Sequence, residues 1–191
     1  EVRPSARAVH LDDGGVVAHR TADLARPTPL DPLDPLTLVG RFTGVAGGRT
    51  VGAADDATRL RRLGTVLSAA LLVGVASRAL EVARAYALER HQFGEPIGSF
   101  QAVKHLLADM YVRSGLAQSA TYAAAAVVQQ PDCDDPGRAA ASAKLLAADA
   151  AIANASTAVQ VLGGRGVTWD MLPNHLLKRA WVLEQGFGAA D

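Results

Sequence analysis

The residues best placed to do chemistry lie in one short stretch, Arg90-His91-Gln92-Phe93-Gly94-Glu95-Pro96-Ile97-Gly98-Ser99-Phe100-Gln101. An arginine, the amides of Gln92 and Gln101 and the start of a helix fall within a dozen residues. A guanidinium forks onto phosphate oxygens, and the unbonded N–H groups of a first helical turn face the same anion. The stretch has the makings of an anion-binding corner. The same residues also fit a plain capped helix hairpin in which Arg90 pairs with Glu89 or Glu95. A second cluster, Gln160-Val161-Leu162-Gly163-Gly164-Arg165-Gly166, places glycines after a helix, where a ligand or another backbone can come close. In isolation it reads first as a helix C-cap and a turn. His91, His105 and His175 read as surface or interface residues. No histidines and acids share the spacing of a metal site, and neither a Gly-x-Ser-x-Gly elbow nor a Walker loop is present.

The elements that must position these clusters differ along the chain. Residues 1–55 are rich in Pro, Gly, Thr and Val. Strands are expected over Arg7–Leu11, Val16–His19, Leu36–Thr43 and Arg49–Val51, with turns at Asp12–Gly15 and Ala46–Gly48. Asp31–Pro35 reads as a stiff connector. So few strands do not close a sheet of their own, and a chain that starts at Glu1 without methionine fits a β-domain entered midway. From residue 56 onward the texture is long and alanine-rich. Leu60, Leu63, Leu67 and Leu71 recur at helical spacing after the N-cap candidates Asp55 and Asp56. A second helix is expected from Ser99 with a Val103-Leu106-Leu107-Met110 stripe, and a third from Asp135-Pro136 to Gly163-Gly164. A fourth begins near Pro173, carries Leu176, Leu177, Ala180 and Leu183, and has Asp170 as its N-cap. Long helices with short connections predict a mainly α chain, an antiparallel four-helix bundle over residues 56–191 behind a partial β-domain over residues 1–55.

The balance of 19 basic and 19 acidic residues gives zero net charge, which argues against a general nucleic-acid or anionic-membrane surface. Cys133 is the single cysteine, so no internal disulfide forms and a reducing compartment is expected. The longest apolar tract, Leu67–Val75, is interrupted by Ser68 and Gly74 and followed by Arg78 and Glu81. It reads as too short to span a bilayer. No signal-peptide pattern is present, and a soluble cytoplasmic protein is expected.

Taken together and in order, the two clusters resemble the acyl-CoA dehydrogenase family. The pattern Arg90, Phe93-Gly94, Ile97, Gln101 matches the family's signature, and so do Leu107-Ala108-Asp109-Met110, Gln160 to Gly166, Thr168-Trp169-Asp170 and Lys178-Arg179. The flavour is actinobacterial and the likeness covers residues 56–188. It implies the tail of a middle β-domain followed by the C-terminal four-helix bundle. It implies FAD at a subunit interface, with Arg90, Gln92, Phe93, Phe100 and Gln101 meeting its pyrophosphate and adenosine and Gln160, Gly163 and Gly164 forming a second contact. It implies a tetramer, an acyl-CoA thioester substrate, and electron-transfer flavoprotein or a similar acceptor.

The resemblance also implies a catalytic glutamate, whose pKa a dry pocket raises so that it can take the thioester α-proton. The family places it either near the end of the fourth helix or on the first. Phe187 and Gly64 fall at those positions. Glu184 and Asp170 are the nearby acids that could stand in as a displaced base. Glu184 otherwise reads as a packing-edge residue and Asp170 as a cap. A chain with an intact Arg90 segment and no base fits the silent member of a heterotetramer. A flavin monooxygenase or acyl-carrier-protein dehydrogenase on the same scaffold, or a non-enzymatic helical module, are the other readings.

Overall fold

The computed structural model describes residues 7–12, 14–24, 27–35, 37, 40–42 and 47–188. Its contacts divide the chain into Glu1–Arg61 and Arg62–Asp191. In the first unit, strands β1 (Arg7–Asp12), β2 (Gly15–Arg20) and β5 (Arg49–Gly52) form an antiparallel sheet in the order β1-β2-β5. The register pairs Val9 with Ala18 and Leu11 with Val16, and a bulge falls between Val16 and Val17 against β5. Gly15 is required there. Its φ is 144°, and a Cβ would overlap the Gly52 carbonyl. Within the strand expected over Leu36–Thr43, Gly40–Arg41 (β4) pairs with Thr28–Pro29 (β3). Much of the remainder of that stretch, and Ala46 of the expected turn, lie outside the described residues. The Asp31–Pro35 connector is anchored by buried Asp34, which accepts from the Thr37 hydroxyl at 2.6 Å.

The second unit contains most of the helical chain. Helix α1 runs Ala54–Glu89, then α2 Gln101–Gln129, α3 Pro136–Leu162 and α4 Leu172–Gln185. Between α1 and α2 sits a tight hairpin of β6 (His91–Gln92) and β7 (Glu95–Pro96), followed by a 3-10 turn at Ile97–Ser99. The start of α2 is therefore two residues later than expected. Asp55 and Asp56 lie inside the first turn of α1 rather than at its N-cap, and Asp56 reaches back to accept from the Ala53 N–H at 2.9 Å. Asp135 caps α3 as its sequence suggests, accepting from the N–H groups of Gly137 and Arg138, with Pro136 opening the helix. Asp170 does not cap α4. That position belongs to Met171, which has no capping side chain.

Contacts across the bundle set its direction. The starts of α1 and α3 meet where Arg62 nears Gly137. Ser68 of α1 donates to Leu183 O near the end of α4 at 3.0 Å, and Gly98, ahead of α2, lies against Ala87 near the end of α1. Helices therefore alternate up and down. The α1–α2 and α3–α4 connections share one end of the bundle, and the α2–α3 connection and the end of α4 share the other.

Alanine dominates the seam. Ala69, Ala76, Ala79, Ala83, Ala143, Ala147, Ala151, Ala155 and Ala158 are fully buried. Leu72 and Met110 are the large apolar side chains buried completely among the described residues. The leucine spacing in α1 is helical, but Leu60, Leu63, Leu67 and Leu71 point outward, 41–57% exposed. The Val66-Ala69-Leu72-Val75-Ala76 face packs inward instead, because only small residues let the helices approach closely. The α2 and α4 stripes face inward as expected. The apolar tract is not cut at Ser68 and Gly74, since α1 continues through both. Windows of α1 and of the α3 segment, with mean hydropathy 1.7 and 1.4, are long and apolar enough to cross a membrane by length and composition. Nearly half of each window (44%) is buried within the fold.

One polar side chain ties three helices. Asn154 of α3 is fully buried, and its amide N–H groups face Met110 O (2.9 Å) and Ser114 Oγ (2.9 Å) of α2 and Ala76 O (3.3 Å) of α1. Replacement removes the hydrogen bonds across the three helices and leaves a void where the amide was. Asn154→Ala is expected to lower unfolding free energy by about 2–3 kcal/mol, read as a drop in the urea midpoint. An unchanged midpoint would show that the amide is not the tie.

Candidate functional site

The hairpin after α1 is built by its turn. Gln92 pairs with Glu95 and His91 with Pro96, leaving Phe93 and Gly94 as the two loop residues. Both have positive φ, 56° and 84°, as a type I′ turn requires. The glycine accepts this freely and the phenylalanine does so under strain. Phe93 is nevertheless 94% exposed, touching Phe100 edge-on with centroids 6.2 Å apart. The hairpin is closed at its base by Ile97 N–H to Arg90 O at 2.8 Å. Gly98 lets the following 3-10 turn sit on Ala87, where a Cβ would crowd the backbone.

Arg90 is exposed, and among the described residues it pairs with neither Glu89 nor Glu95. The hairpin forms without that ion pair. Phe100 is the N-cap of α2 with no side-chain hydrogen bond to the first turn, so the helix start faces outward uncapped beside Gln101. Gln92 is turned the other way, its amide donating to the His91 carbonyl at 2.7 Å. His91 is likewise engaged locally, its Nδ1 donating to Glu89 O at 3.0 Å.

At the same end of the bundle, α3 closes on Gly163 with φ 63°, whose N–H bonds the Gln160 carbonyl. The three glycines here have different reasons. Gly163 needs its left-handed backbone. Gly166 is pressed on the backbone of Val159, where a Cβ would lie 2.8 Å from Cα. Gly164 has neither constraint: nothing lies within 4 Å of a Cβ placed there, and its φ is not in the positive range. Beyond them Trp169 takes an edge-on contact from His175 (5.1 Å), and Lys178 Nζ stands 4.3 Å from the indole centroid. His175 Nε2 also donates to Trp169 O.

The two positions where a base is expected come together at the opposite end. Phe187, at φ 59°, lays its ring on Gly64 of α1; a Cβ on Gly64 would overlap Cδ1 and Cε1 and stand 2.7 Å from Cγ. Thr65 Oγ1 donates to Phe187 O at 3.1 Å. Lys144 of α3, only 4% exposed, donates to the carbonyls of Gly186 and, at 3.1 Å, Gly188. Burial holds the Lys144 ammonium below the ordinary lysine range, and the nearby Glu184 charge partly offsets this.

The two displaced-base candidates have different surroundings. Glu184 stands half-buried beside the Lys144 cation. Asp170 is exposed, and its carboxyl is held below the usual range, first by the Thr168 hydroxyl, then by its own backbone N–H, with Arg165 adding a small electrostatic pull. A general base for a weak carbon acid needs the opposite shift. Sequence reasoning missed Lys144. The available signal was its position on the inward face of α3, four residues after Ala140 and three before Ala147.

The chain matches the family model described as "Acyl-CoA dehydrogenase, C-terminal domain" over residues 57–191. It is 46% identical over 122 residues to acyl-CoA dehydrogenase FadE34 of Mycobacterium tuberculosis, covering 64% of this chain and 17% of that protein. It is 36% identical over 168 residues to acyl-CoA dehydrogenase IpdE2 of Mycolicibacterium smegmatis, covering 88% and 50%. The crystal structure of the ChsE4-ChsE5 complex from Mycobacterium tuberculosis superposes with a TM-score of 0.83 at 33% identity, covering 96% of this chain and 51% of that one. The chain thus spans half the length or less of these curated relatives. The helical bundle, the Arg90 hairpin and the matched residues together establish that this chain belongs to the acyl-CoA dehydrogenase family.

Proposed function

We propose that the chain is part of an FAD-dependent acyl-CoA dehydrogenase acting on acyl-CoA thioesters in fatty-acid or sterol side-chain β-oxidation, and that it supports the flavin rather than supplying the base. In this reading residues 1–55 are the tail of the middle β-domain and residues 56–191 the bundle. The assembly is a cytoplasmic tetramer that passes electrons to electron-transfer flavoprotein or a similar acceptor and engages neither membrane nor nucleic acid. The two apolar helices then serve the bundle seam.

The observation that carries the reading is the polarity of the bundle. The exposed guanidinium of Arg90, the outward Phe93, the uncapped start of α2 and the open space at Gly164 lie at one end. Gly64 and Phe187 lie toward the other. Gly64 and Glu89 are separated by roughly 38 Å of α-helix at about 1.5 Å per residue. This separation supports a reading in which a ligand held at the Arg90 end reacts away from the Gly64 niche, on another chain. Arg90 fits the pyrophosphate as a charge-assisted donor, and Gly164 fits a ligand surface pressed onto the backbone. FAD, when bound, supplies the hydride acceptor. This chain's residues hold its ADP half, while the acid that takes the α-proton comes from a partner. The mycobacterial two-chain complex with the same fold supports an assembly of unlike subunits.

Arg90→Ala is expected to weaken FAD binding at least tenfold, the loss of a charge-assisted contact of about 1.5–3 kcal/mol, with thermal stability unchanged. Gly164→Ala is expected to reduce FAD occupancy and leave the melting temperature in place. Gly166→Ala is expected to lower the melting temperature itself. Flavin titration beside thermal melts separates the three. The subunit reading is tested by purifying the chain alone and with its partner chain. Full flavin occupancy and acyl-CoA dehydrogenation by the chain alone would sink it.

A further inference from the structure

The contact between Phe187 and Gly64 is a feature of this chain's own build. Gly64 sits inside α1 with ordinary helical backbone, so nothing in its conformation calls for glycine, and glycine weakens a helix interior. What requires it is the ring: a Cβ would overlap Cδ1 and Cε1 of Phe187. Phe187 in turn takes a left-handed conformation that non-glycine residues avoid, and it leaves 58% of its surface exposed. Apolar burial alone does not explain this placement. Phe187 is held by its backbone. Lys144 donates to the carbonyls on both sides of it, Thr65 donates to its own carbonyl, and Ser68 ties the preceding turn through Leu183 O. Lys144 is almost wholly buried to do so, a placement unfavourable for an ammonium with no carboxylate directly bonded to it.

We propose that Phe187 is a stopper for the Gly64 niche, latched by Lys144, and that it is the residue that excludes both a carboxylate side chain and the acyl end of a thioester from this end of the bundle. The proposal rests on the base-free reading above and deepens it. Neither position 64 nor position 187 carries an acid, and the Phe187 ring fills the space beside Gly64. Positions 64 and 187 are therefore coupled in size: a side chain at 64 is accepted only when the residue at 187 is small. Lys144 acts through Phe187 and is a positioning residue.

The test is a thermal-melt cycle on the full chain with Gly64→Ala, Phe187→Gly and both together. Gly64→Ala is expected to lower the melting temperature by several degrees in the parent. In the Phe187→Gly background it is expected to raise it, because alanine is then free to favour the helix. Equal effects in the two backgrounds would overturn the stopper. The same inversion is expected when Gly64→Ala is made in Lys144→Met, and a persisting penalty there would remove Lys144 from the latch. Butyryl-CoA titrated into Phe187→Gly is expected to bind at least tenfold more tightly than to the parent, and equal affinity would overturn exclusion of the acyl end. None of these readouts uses flavin or a partner. If the chain alone proves to be a complete dehydrogenase, the subunit reading falls while the melt cycle still decides the stopper.

Discussion

Everything in the helical unit follows from how closely its backbones approach. The seam between α1, α2 and α3 is lined by alanine, with Leu72 and Met110 as the large apolar side chains fully enclosed. At that separation there is no room for a row of leucines, so the regular leucines of α1 stand on the outer face. The same closeness lets a single amide, Asn154, reach carbonyls on two neighbouring helices and a hydroxyl on one of them. Small residues set the spacing, and the one buried amide fixes the relative position of the helices along it.

That spacing gives the bundle two chemically different ends. One end exposes an arginine, a forced-out aromatic and an unconstrained glycine, groups suited to an anionic ligand with a flat surface. The other end is closed upon itself by Lys144, Ser68 and Thr65 acting on backbone carbonyls. The helix between them keeps the two ends apart.

Much of this was legible in the residues. Asp135-Pro136 and Gly163 mark the ends of α3 by local chemistry that tertiary packing has no reason to override. Phe93-Gly94 marks the turn of the hairpin. The direction of α1 was not legible, because leucine spacing reports a helix period and does not say which apolar face turns inward when the alternative face is alanine. The cap of α4 was misplaced by one residue, since Asp170 is drawn to Thr168 and Arg165 instead of the helix start. Lys144 was hidden because a lysine in an alanine run ordinarily belongs to the solvated side. The meeting of Gly64 with Phe187 is a long-range contact, more than a hundred residues apart in sequence, and no local pattern announces it.

The alanine seam has a thermal consequence. Unfolding raises heat capacity in proportion to the apolar surface it exposes, about 12–15 cal/mol/K per residue in ordinary domains. A core of methyl groups, with its leucines already in water, exposes less. The stability of this bundle as a separate chain therefore varies gently with temperature, with a broad, low maximum in place of a sharp one. Whatever covers the outer leucines of α1 would deepen that curve as well as raise it.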